Sequence, residues 1–105
     1  MEFQTHNDTV IDINYTSLQG QVIINYHILD AIFGEPMKGD GYKTDAEWHV
    51  RFEDGTVATI YNWKNGQNYL GADGEPVHKI GVWNIGGFSH RAAELVNQVV
   101  QEAVA

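Results

Sequence analysis

The chain has 105 residues, no cysteine, and 14 acidic against 6 basic side chains, for a net charge of −8. That length suits one domain around a single core, and the missing cysteines exclude both a disulfide framework and a thiolate metal site. The negative charge disfavours direct contact with a nucleic-acid backbone and attracts a basic surface instead, although it also serves solubility by itself.

Apolar residues at 43% and aromatic residues at 11% mark a folded chain rather than a disordered one. No run reaches transmembrane length, and the polar start Met1–Asp8 lacks the basic region of a secretion signal. A soluble cytoplasmic protein is the expectation, without a membrane partner.

In chain order, Thr9–Tyr15 alternates, with Ile11, Ile13 and Tyr15 on one side, and predicts a strand. Thr16–Gly20 carries turn chemistry, after which Gln21–Ile24 is expected to pair back. Tyr26, Leu29, Ile32 and Phe33 recur at helical spacing, with Asn25 as N-cap, Gly34 as stop and Pro36 preventing continuation. Met37–Asp45 is a glycine-rich polar loop.

Ala46–Lys64 is the strongest local signal: two alternating runs joined at Asp54-Gly55. With Asp54 and Gly55 as a two-residue loop, Phe52 faces Val57, Val50 faces Thr59, Trp48 faces Tyr61 and Ala46 faces Trp63, all on one apolar side. Glu47 and His49 then project from the polar side.

Asn65–Pro76 is a long loop rich in Asn, Gly and Asp, and Val77–Ile85 reads as a strand broken by Gly86-Gly87. Phe88–Ala103 is the clearest helix, capped by Ser89, with Ala92, Leu95, Val96, Val99 and Ala103 as its apolar stripe. These faces predict a single α+β domain over residues 1–105. It holds one antiparallel sheet of about four to five strands in the order β-β-α-β-β-β-α, with the C-terminal helix on the apolar face.

Chemical motifs are sparse. His6, His27, His49, His78 and His90 show no ligand spacing, and Asp40–Asp45 and Asp73–Glu75 lack the repeated carboxylates of a calcium loop. Glu47 and His49 share one strand face in a way that suits acid–base work, but a solvated sheet face is the preferred explanation. Gly86-Gly87 is a tight turn before an anion site, and Ser89 a helix cap before a nucleophile. No phosphate-loop, dinucleotide or nucleophile-elbow motif occurs, so neither catalysis, nor a metal, nor a cofactor is expected.

The blocks Ile32-Phe-Gly-Glu-Pro36, Ala46-Glu-Trp48, Phe52–Lys64 and Trp83-Asn-Ile-Gly-Gly87 resemble those of a set of small bacteriophage-encoded proteins, most of them without an assigned activity. The resemblance implies no catalytic or binding residue. It implies the host bacterial cytoplasm as setting and, by class association, action through binding.

The leading expectation is a non-enzymatic inhibitor or regulator of a host protein or defence complex with a basic surface. Asp40, Asp45, Glu53, Asp54, Asp73 and Glu75 in the loops are its candidate contacts. The alternative is a protein that sequesters a small nucleotide-like ligand, alone or as a homo-oligomer, with Lys64, Asn65, Asn68, Tyr69 and Arg91 stacking a base and pairing a phosphate. A small hydrolase is the third.

Overall fold

The computed structural model describes residues 1–105. Its elements are β1 (Phe3–Thr5), β2 (Ser17–Ile23), α1 (Tyr26–Phe33), β3 (Glu47–Phe52), β4 (Val57–Tyr61), the single-turn α2 (Gln67–Leu70), β5 (Val82–Gly87) and α3 (Arg91–Val104), with short 3-10 turns at Gly71–Asp73 and Val77–Lys79. The strands form one antiparallel sheet in the spatial order β1-β3-β4-β5-β2. The α+β architecture predicted from the sequence is therefore the observed one, and no helix is long and apolar enough to cross a membrane.

Both longer helices cover the same face. Leu29 and Phe33 of α1 and Ala92, Leu95, Val96, Val99 and Val100 of α3 join Trp48, Val50, Phe52, Ile60, Trp83 and Ile85 of the sheet in one core. Helix α1 starts as its sequence predicts: the Asn25 side chain accepts from the Ile28 N–H at 2.9 Å, and Gly34 follows the last turn at φ +85°. Helix α3 departs in two details. His90, not Ser89, stands at its N-cap, with no side-chain cap bond, and the stripe ends on buried Val100 while Ala103 is exposed.

The central hairpin exists, but its register is one residue away from the predicted one. Trp48 faces Ile60, Val50 faces Ala58 and Glu47 faces Tyr61. The cause is a three-residue loop. The Gly55 N–H donates to the Phe52 carbonyl at 2.9 Å, the Phe52 N–H donates to the Thr56 carbonyl at 2.8 Å, and Gly55 takes φ +89°. That pattern is a tight turn closed by a glycine bulge rather than the two-residue loop. Because side chains alternate, the slip turns β4 over. Ala58 and Ile60 enter the core, whereas Tyr61 and Trp63 go to the opposite side.

Gly55→Val should cost about 1–3 kcal/mol, because a β-branched residue is disfavoured at positive φ. Chemical unfolding measures it, and an unchanged midpoint would contradict the bulge geometry.

Three further expectations fail for local reasons. Thr9–Tyr15 is not a strand: only Ile11 is buried, Val10 and Tyr15 are exposed, and the Thr16 N–H closes a turn onto the Ile13 carbonyl at 3.1 Å. Strand β1 forms earlier, at Phe3, and the expected turn Thr16–Gly20 lies mostly within β2, which pairs with β5. Val77–Lys79 is a 3-10 turn, so β5 starts at Val82 and runs through Gly86-Gly87 instead of ending before them.

Candidate functional site

Core side chains Trp48, Val50 and Phe52 alternate along β3 with Glu47, His49 and Arg51, which therefore face away from the helices. Two loops, around Ile13–Thr16 and Asp40–Thr44, border a groove on this second face. Its floor is Gly86, and its walls include Glu47, Tyr61 and Trp63. A side chain at Gly86 would collide with the Thr59 hydroxyl, so the glycine keeps the groove open. The groove encloses about 230 Å³, less than the roughly 300–1,000 Å³ of sites that engulf drug-sized ligands.

The groove brings two carboxylates together. Asp40 Oδ1 accepts from the N–H groups of Tyr42, Lys43 and Thr44 at 2.8, 2.8 and 3.0 Å. These bonds, with those of Thr44 and Tyr42 the strongest, hold the Asp40 carboxyl below its ordinary range. Glu47 Oε2 meets His49 Nε2. The His49 backbone N–H donates to His6 Nδ1 at 3.3 Å, which leaves the His6 proton on Nε2, where it donates to the Glu35 carbonyl at 2.7 Å. Burial, aided by the Glu47 charge, pushes the Tyr61 phenol upward, so it stays a neutral hydroxyl. Glu47 and His49 thus form a bonded pair rather than a freely solvated one. No group of three or more candidate ligands gathers for a metal ion.

Beside the groove stands an exposed aromatic cluster. Tyr42, Trp63 and Tyr69 are 56%, 47% and 37% exposed, and the two tyrosine rings lie 5.2 Å apart. Lys43 Nζ and Lys64 Nζ sit 5.3 and 5.7 Å from the Trp63 ring centre, and Lys64 Nζ sits 5.5 Å from that of Tyr69. Each exposed contact of this kind is worth only about 0.5–1 kcal/mol, so the lysines are held only weakly over the rings. Lys64 takes φ +59°, held by its N–H to the Lys43 carbonyl at 2.8 Å. A lysine in the left-handed region costs on the order of 1 kcal/mol, which the surroundings must offset.

What fixes this cluster is Asn62, only 1% exposed at the end of β4. Its Oδ1 accepts from the Asp45 and Ala46 N–H groups at 2.7 and 3.2 Å, and its Nδ2 donates to Asp45 Oδ1 and Asn65 Oδ1 at 2.9 and 3.1 Å. Asp45 Oδ2 in turn accepts from the Asn68 N–H at 3.1 Å, and Asn68 Nδ2 donates to the Thr44 carbonyl at 3.2 Å. The loops bearing Tyr42 and Tyr69 are thereby bolted to the end of the sheet.

The candidate residues named from the sequence consequently separate. Asp45, Asn65 and Asn68 come together, but as members of this internal network. Lys64 and Tyr69 come together on the surface. Arg91 lies at the opposite end of β4, where its Nε is 3.4 Å from Asp54 Oδ2 on the hairpin loop. Glu53 and Asp54 share that far end, and Asp73 and Glu75 are exposed after α2. Only Asp40 of the acidic set enters the groove.

Tyr42, Lys43 and Trp63 form a surface that the sequence pattern does not reveal, and Glu47 joins it although its strand face alone reads as solvated. A three-residue reading of the hairpin loop was the signal that would have found Trp63. The largest depression, about 390 Å³, runs along β1 and the hairpin loop, away from these aromatics. Its one cation, Arg51, is tied to Gln4 Oε1 at 2.8 Å, so it holds no comparable cluster.

Comparison with known proteins returns no matching family model, no matching curated protein and no matching solved structure.

Proposed function

We propose that this chain acts by binding, without catalysis, as an inhibitor or regulator that docks on a basic surface of another protein. The observation that carries the reading is the surface at the Trp63 end, where exposed Tyr42, Trp63 and Tyr69 adjoin a groove holding the Asp40 and Glu47 carboxylates. Tyrosine and tryptophan are the usual anchors of protein interfaces, since they bury much area for little conformational entropy. The size of the groove favours one side chain of a protein over a whole small-molecule ligand. The net charge of −8 adds long-range attraction for a basic partner. In the setting that the phage resemblance implies, that partner is a host protein, for instance one that handles nucleic acid or belongs to a defence complex.

Capture of a partner from host lysate on the immobilised chain tests this at about 0.1 M and about 1 M salt, between which the screening length falls from ~10 to ~3 Å. Capture at the lower salt and loss at the higher is expected. No partner, or one held equally at both, counts against electrostatic docking.

The second reading, a nucleotide-like ligand, is favoured by one observation, the convergence of Lys43 and Lys64 on Trp63 and Tyr69. A nucleotide that raises the melting temperature would put it first.

A further inference from the structure

We infer that the groove beside Trp63 receives a single arginine side chain of the partner; the inference rests on the protein-binding reading above. The groove holds two carboxylates, and the hydrogen bonds that orient them engage Oδ1 of Asp40 and Oε2 of Glu47, leaving the second oxygen of each outside those bonds. The chain supplies little to neutralise them. Glu47 shares a hydrogen bond with His49, the ion pairs of Arg91 go to Asp54 and Glu94, and Lys43 and Lys64, which stand over Trp63, pair with neither Asp40 nor Glu47. Two acidic groups in one recess of a strongly acidic protein favour a cation over an anion or a neutral guest.

The aromatic wall narrows the choice of cation. The Tyr61 and Trp63 rings stand 6.3 Å apart with their planes at 80°, making a corner at the groove. Lys43 and Lys64 already stand over Trp63, so a planar guanidinium lies flat against Tyr61 and directs its N–H fork at a carboxylate, satisfying both walls at once. A lysine ammonium is a compact, strongly hydrated point charge that cannot make the same paired contact. Gly86 gives the depth, since any larger residue would fill the floor.

The test is an amide NMR titration of the full chain with three capped tripeptides, glycine flanking arginine, lysine or citrulline. Citrulline keeps the shape of arginine without its charge. The arginine peptide should shift the Glu47, Tyr61 and Gly86 amides, the lysine peptide should bind several-fold more weakly, and citrulline should leave them unmoved. Glu47→Gln should weaken the arginine peptide about tenfold, whereas Glu102→Gln, at an exposed position of α3, should not.

Equal shifts with citrulline, shifts centred elsewhere, or wild-type affinity in Glu47→Gln would overturn the inference. If the arginine peptide fails while salt-sensitive partner capture persists, the arginine site falls and the protein-binding reading stands. If both fail, both fall.

Discussion

Trp48→Ala should lower stability by about 3–5 kcal/mol, among the largest effects expected of a single substitution in this chain. The indole is fully buried and packs edge-on against Trp83 with ring centres 5.3 Å apart, and against Tyr26 at 5.9 Å. Its Nε1–H donates to the Gly34 carbonyl at 2.8 Å, which ties the end of α1 to the sheet. Truncation therefore opens a cavity where sheet and helix meet and leaves a helix-terminal carbonyl without its donor. Against a total stability of about 5–15 kcal/mol, that loss removes a large part of the margin, and at the lower end of the range it unfolds a substantial share of molecules. Trp63→Ala is the contrast. Its ring is on the surface, and the change should stay within about 1 kcal/mol. Urea unfolding of both variants measures the difference, and comparable losses would mean that Trp63 is a core residue after all.

Asn62→Ala should follow, at about 2–4 kcal/mol. The substitution strips acceptors from the Asp45 and Ala46 N–H groups, and Ala46 is buried. Each buried donor left unpaired costs about 1–3 kcal/mol, partly relieved where water can enter. It also unties Asp45 and Asn65, so the loops carrying Tyr42 and Tyr69 lose their common anchor. Hydrogen exchange should therefore accelerate at the amides of Asp45, Ala46 and Asn68 beyond what global destabilisation explains. A loss below about 1 kcal/mol with protection unchanged at those amides would show that the network holds nothing in place.

The helices were legible because their signals are local. Asn25, the apolar spacing of Tyr26–Phe33 and Gly34 together specify α1, and the Leu95/Val96/Val99 stripe specifies the buried side of α3. The hairpin was legible as a hairpin but not in its register, because Asp54-Gly55 serves both a two-residue loop and a three-residue loop closed by glycine. One hydrogen bond, from the Gly55 N–H to the Phe52 carbonyl, decides between them. That single residue of slip is what hid the candidate site. It moved Trp63 from the expected core to the surface and placed Tyr61 beside Glu47. The groove was illegible for a different reason. It is assembled from Ile13, Asp40, Glu47, Tyr61 and Gly86, which only the strand order brings together. Strand β1 escaped notice because three residues carry too little alternation to be read.

The most direct test of the central claim compares partner capture at low salt by the wild-type chain and by the double variant Trp63→Ala/Tyr69→Ala, alongside their melting temperatures. The variant should melt within a few degrees of wild type, since both side chains are exposed, and should retain little of the partner. A variant that folds normally and captures the partner as well as wild type would contradict it, and would move the recognition surface away from the Trp63 end of the sheet.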